Sequence, residues 1–146
     1  MEPQINSEPI KKKIKLDFKE AKYATGRRKK SIAKVWLKKG SGVIIVNGKK
    51  MTDYFKIPNL QSAIYRPLVF VKRESEYDVK CSVRGGGLSG QAGAIIHCIS
   101  RALVEFEPTL KPTLKKEKLT TRDSRSVERK KYGKRKARRG FQFSKR

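Results

Sequence analysis

Gly85, Gly87 and Gly90, in the stretch GGGLSGQAG, stand at the GxGxxG spacing of a nucleotide-binding loop. Such a loop brings backbone amides up to a pyrophosphate at a helix start, and Glu105 falls twenty residues after Gly85, near where a dinucleotide fold carries its ribose-binding acid. That acid, however, lies in the wrong element. Leu88, Ala92, Ile95, Ile96, Ile99, Ala102, Leu103 and Phe106 form one stripe of 3.6-residue period, which predicts a helix from Leu88 to just before Pro108. Glu105 is then in the last turn of this helix rather than at the end of a second strand, and the charged, proline-broken sequence that follows offers no such strand. The GK[ST] ending of a triphosphate loop is also missing. The glycines instead permit positive φ angles and close packing. Amides at the helix start, beside Arg84, are placed to receive a backbone phosphate of RNA, with Gly85, Gly86, Gly87, Ser89 and Gln91 as the contacting set.

Catalytic chemistry has little to work with. The only histidine, His97, lies beside the apolar stripe with no carboxylate or second histidine near it in sequence, so it reads as a packed residue or a backbone contact. Glu105 and Glu107 read as a solvated helix end. Cys81 and Cys98 sit in apolar patterned segments without a CxxC pair, which predicts buried, reduced thiols and no zinc site or disulfide. No catalytic, cofactor or metal site is expected, nor a small-molecule substrate.

Charge points elsewhere. The 146 residues hold 38 Lys or Arg against 13 Asp or Glu, a net +25, and the excess is uneven. Residues 1–42 carry 13 basic and 4 acidic side chains, residues 43–110 carry 9 and 6, and residues 111–146 carry 16 and 3. A middle of ordinary globular composition with polycationic ends is the layout of a small fold that lays arms on a polyanion. Nucleic acid is the expected partner; a membrane is not, because no apolar run approaches the roughly 20 residues of a spanning helix. The first twenty residues contain four acids and no Arg, with no continuous apolar run, so neither a secretory nor a mitochondrial leader is expected and the cytoplasm is the predicted location.

Arg27, Arg28, Lys29 and Lys30 form one candidate phosphate-binding cluster. The second spans Arg122, Arg125, Arg129, Lys130, Lys131, Lys134, Arg135, Lys136, Arg138 and Arg139, with Tyr132, Phe141 and Phe143 offering rings for stacking on unpaired bases. Fully extended, residues 129–146 reach roughly 60 Å, against a radius of about 13 Å for a domain of this size. The tail can therefore act where its own domain does not touch.

The elements that position these residues are legible in outline. A flexible extension (residues 1–20), a globular α/β domain (21–118) and a basic tail (119–146) are expected. Ser31–Leu37 and Gly42–Val46 read as strands joined by a KKGSG hairpin connection. Asn47-Gly48 marks a turn, and Thr52 is placed to cap a short helical turn from Asp53. Leu60, Ala63, Ile64, Leu68 and Val71 predict a helix that Pro67 limits or kinks. Tyr77–Val83 alternates as a half-buried strand, and a short helix over roughly 109–118 follows the Leu88 helix.

ATGRRKKSIAKVWLKKGSG, RGGGLSGQAGAIIHCISRAL, TRDSRSVERKKYGKRKARR and the closing FQFSKR, in this order and spacing, resemble the bacterial-type ribosomal protein S-nine family of the small subunit, from about Tyr23 to Arg146. The chain departs from the family pattern at Ile96, where Arg is frequent, and at Gly140-Phe141, where Arg-Pro is frequent. The resemblance implies a two-layer α/β sandwich like the second domain of ribosomal protein S-five, with a left-handed βαβ crossover. It also implies binding to the 3′ major domain of small-subunit ribosomal RNA, contacts with neighbouring proteins of the subunit head, and a tail whose Ser144, Lys145 and Arg146 approach the transfer RNA in the peptidyl site. The alternative is a free RNA chaperone or general nucleic-acid-binding protein acting outside any particle, which would stay near the top of a sucrose gradient rather than sediment with small subunits.

Overall fold

Five strands and a layer of helices make up the domain in the computed structural model, which describes residues 19–145. Most of the Met1–Glu20 extension and Arg146 lie outside the described residues. The elements run β1 (Lys22–Arg28), β2 (Ser31–Lys39), β3 (Ile44–Val46), β4 (Lys49–Lys50), α1 (Met51–Tyr54), α2 (Pro58–Val71), β5 (Tyr77–Arg84), α3 (Leu88–Phe106), a 3-10 turn (Pro108–Leu110) and α4 (Lys111–Lys116). This is the mixed α/β architecture expected.

The strands lie in the order β1-β2-β5-β3-β4, antiparallel except for β3 beside β5. The parallel pair is joined through α1 and α2, giving the βαβ unit. KKGSG is therefore not a hairpin connection, because β5 occupies the place between β2 and β3. Its backbone is committed to the start of β5 instead: the Ser41 and Val43 amides each donate to one Asp78 carboxylate oxygen at 2.9 Å, and the Gly40 amide donates to the Glu76 carbonyl at 2.8 Å.

Alternation along β2 and β5 turns Ala33, Val35, Leu37, Tyr77, Val79, Cys81 and Val83 toward the helices, where α3 contributes Ile95, Cys98, Ile99, Ala102 and Leu103. Full burial of one such aliphatic side chain is worth about 1.5–3 kcal/mol, so this layer dominates the fold. Burial pushes both thiols up, Cys98 to about 12, and the Cys98 thiol donates to the Ala24 carbonyl at 3.0 Å. α3 lies on β1 as closely as backbone allows. A methyl group at Gly26 would run into the Ala94 carbonyl and stand 2.7 Å from the Cys98 amide nitrogen.

Two local expectations are corrected. α1 begins at Met51, directly after the strand pair, and no side chain caps it, so Thr52 lies inside the helix rather than before it. Of the two effects expected of Pro67, ending the helix does not occur: α2 continues through it to Val71, with Pro67 buried. The Asn47-Gly48 turn is present, with φ of +50° and +79°, as a tight two-residue hairpin between β3 and β4 requires. The helix expected over 109–118 is present as the 3-10 turn and α4.

Candidate nucleic-acid interface

Both turns at one end of the sheet are fixed by side chains beneath them. Ser31, the first residue of β2, donates its hydroxyl to the Gly85 carbonyl at 3.0 Å, and the Gln91 amide donates to the same oxygen at 3.2 Å. Gln91 Oε1 in turn accepts from the Tyr54 hydroxyl at 2.9 Å. Next to them Asn47 imitates a strand partner, accepting from the Val83 amide and donating to its carbonyl, both at 2.9 Å. Gly85 and Gly86 take φ of +78° and +63°, and a Cβ on Gly85 would stand 2.6 Å from the Lys30 carbonyl. Glycine is thus required both by conformation and by the β1–β2 turn pressed against the loop.

This bracing holds Arg84, Gly85, Gly86, Gly87 and Ser89 at the surface, while Gln91 is turned inward with both ends of its amide bonded inside the protein. No side chain caps α3 at Gly87. Beside the loop, Lys29 adopts a left-handed turn conformation (φ +51°), and Arg27, Lys29 and Lys30 are exposed. An open cavity of about 600 Å³ lies between these segments, lined by Lys29, Lys30, Gly86, Gly87, Ser89 and, from the tail, Arg129.

The tail starts at an anchored root. Leu119 is buried, and the Thr120 carbonyl accepts from His97 Nε2 at 3.2 Å, the backbone contact expected of that histidine. A carbonyl partner fixes the proton on Nε2 and leaves Nδ1 as a buried lone pair with no partner. Burial, opposed by the Thr120 bond and reinforced by Arg101 and Arg122, holds the imidazole below its ordinary range. Arg28 reaches from β1 to the Asp123 carboxylate at 3.7 Å, and Arg125 binds it with a forked contact at 2.9 and 3.1 Å. The Arg125 side chain and amide, with Arg28 behind them, hold the Asp123 carboxyl at about 2. Arg27, Arg28, His97, Arg122, Asp123 and Arg125 surround a second cavity, of about 490 Å³.

Beyond the root no helix or strand forms among the described residues, and Arg129, Lys130, Lys131, Lys134, Arg135, Lys136, Arg139, Ser144 and Lys145 are exposed. The tail is nonetheless not straight. Arg138 forks onto Glu128 at 2.8 and 3.0 Å, holding that carboxyl below its usual range, and the Arg135 amide donates to the Arg139 carbonyl at 2.8 Å. These bonds close residues 128–138 into a loop, with the Arg135 guanidinium 5.4 Å from the centre of the Phe141 ring. Asp123 and Glu128, which pair with Arg28, Arg125 and Arg138, are the residues of the candidate site not anticipated from the sequence. Their signal was faint: single acids in a basic stretch, each within reach of an Arg. Asn47 was legible as a turn but not as a brace.

The sequence matches the family model for ribosomal protein S9/S16 over residues 26–146, most of its length. The chain belongs to the ribosomal protein S9/S16 family. S9/S16 proteins are structural components of the small ribosomal subunit, which makes this chain part of the ribonucleoprotein that carries out translation, in contact with ribosomal RNA and ribosomal proteins. No helix among the described residues is long and apolar enough to cross a membrane.

Proposed function

We propose that this S9/S16 protein is of the bacterial type, works on cytoplasmic ribosomes and sits in the head of the small subunit on the 3′ major domain of its RNA. In this reading the domain over residues 21–118 and the tail over 119–146 divide the work. The domain sits on RNA with Arg27, Lys29 and Lys30 and with Arg84 through Ser89, while Gln91 supports that loop from beneath. Arg122 through Arg139 follow the phosphate backbone, and Ser144, Lys145 and Arg146 reach the anticodon-stem backbone of transfer RNA in the peptidyl site.

The observation that carries this reading is convergence. Three segments far apart in sequence, the β1–β2 turn, the Gly85–Gly87 loop and the tail around Arg129, share one open cavity whose charged rim is mainly cationic. Such a site gives affinity by neutralising phosphates and releasing counterions, and the loop amides add direction. Deleting Ser144–Arg146 is expected to leave sedimentation with small subunits intact in sucrose gradients and to weaken retention of transfer RNA in the peptidyl site at fixed salt. Equal retention by truncated and full-length protein would remove the transfer RNA role and leave the ribosomal RNA role standing.

A further inference from the structure

The sheet has a second face, and its composition differs from everything discussed so far. Opposite the helices, β1 presents Tyr23, Thr25 and Arg27, β2 presents Ile32, Lys34, Trp36 and Lys38, and β5 presents Asp78, Lys80, Ser82 and Arg84. The register arranges them in rows: Tyr23, Trp36 and Lys80 are neighbours across the three strands, then Thr25, Lys34 and Ser82, then Arg27, Ile32 and Arg84. In the first row the Tyr23 and Trp36 ring centres are 5.4 Å apart with their planes at 48°, and Lys80 Nζ stands 5.8 Å from the Trp36 ring centre. Tyr23 is 43% exposed and Trp36 half-buried. Asp78 is the one carboxylate on these strands, and it already accepts two backbone amides.

We infer that this face is a stacking platform for single-stranded RNA: Tyr23 and Trp36 receive unpaired bases, and Lys34, Lys80, Arg27 and Arg84 hold the phosphates that link them. These four cations around an aromatic pair match a strand with alternating bases and anions, and only unstacked bases present their faces to a ring. A protein partner fits less well, because a protein interface has an apolar, charge-depleted centre and the exposed aliphatic contribution here is Ile32 alone. The last row ends at Arg84, so an RNA strand leaving the platform arrives at the Gly85–Gly87 loop. The inference rests on the RNA-binding reading but adds a surface that neither the loop nor the tail supplies.

Trp36 is the only tryptophan of the chain, so its emission reports this face alone. The full-length protein would be titrated with a twelve-residue oligouridylate, with binding followed by fluorescence polarisation of end-labelled RNA and, separately, Trp36 emission followed with unlabelled RNA. Saturable quenching by more than half, with the same midpoint as the polarisation curve, is expected; a twelve-pair RNA duplex should quench far less. Trp36→Ala should weaken binding roughly tenfold with an unchanged salt slope, since stacking releases no counterions, and Trp36→Phe should restore it. Lys34→Gln with Lys80→Gln, which leaves both rings in place, should flatten the slope instead. If the oligouridylate binds by polarisation while Trp36 emission and the Trp36→Ala affinity stay unchanged, the platform is refuted and RNA binding elsewhere stands. Absence of any polarisation change refutes both. Emission that responds to decaglutamate but not to RNA assigns the face to a protein neighbour and overturns the proposal.

Discussion

Val35, Leu37, Ile95 and Ile99 in the body are fully buried, whereas beyond Thr120 the side-chain ties of the described tail are chiefly ion pairs, Asp123 with Arg28 and Arg125, and Glu128 with Arg138. The two regions are thus ordered by different physics. Apolar contacts in the body are not screened by salt and offer nothing to a phosphate. The ionic contacts of the tail lie in solvent, where such pairs are worth little, and each guanidinium in them can exchange its carboxylate for a phosphate. A body held by apolar contacts therefore carries a tail whose own bonds are of a kind that phosphate can replace.

Gly26→Val tests the first half of this contrast most severely. The added side chain meets the α3 backbone, which cannot give, so a loss of at least about 3 kcal/mol in urea unfolding is expected. Removing residues 130–146 should leave the same midpoint unchanged; a comparable loss there would break the contrast. Leu119→Ala lies on the boundary and should cost about 2 kcal/mol, because Leu119 is the last residue of the tail root to be buried. Replacing Arg135, Lys136, Arg138 and Arg139 together by Ala should leave thermal stability almost unchanged while lowering the slope of log affinity for RNA against log salt by roughly 3. An unchanged slope would show that these residues do not touch phosphate.

The smallest effect concerns pH. The folded pKa of His97 is depressed, so below the ordinary value of about 6.5 the unfolded chain takes up the proton more readily than the folded one. Stability should fall as pH drops through that range toward the folded value, and His97→Gln should flatten the dependence in thermal melts. A steeper fall in the variant would place the titration elsewhere.

The elements most plainly legible in the sequence were those with unbroken periodicity, β2, β5 and above all α3, whose stripe runs from Leu88 to Phe106; β3, α2 and α4 were legible in outline. Order within the sheet was not legible, because KKGSG is chemically fit for a hairpin and only the long-range Asp78 contacts divert it. β1 was missed because its run, KYATGRR, mixes basic residues with a glycine that serves packing against α3 rather than a turn. At the interface the cations could be named individually, since charge is visible in one letter. Their arrangement could not, since Ser31, Asn47 and Gln91 act through contacts 6 to 54 residues away along the chain. The tail was legible as basic and irregular, but the Glu128–Arg138 closure depends on a turn that no local pattern announces.

That closure has a mechanical consequence. The tail is fastened at Leu119 and Thr120, and its far end is free of the fold. Tension applied there meets the Glu128–Arg138 bond before it meets the root. Opening the bond releases the nine residues between its partners, up to about 30 Å of chain, while Leu119 stays seated. The loop is slack held in line with a tether: by that length the far end can be displaced without loading the fold that holds it.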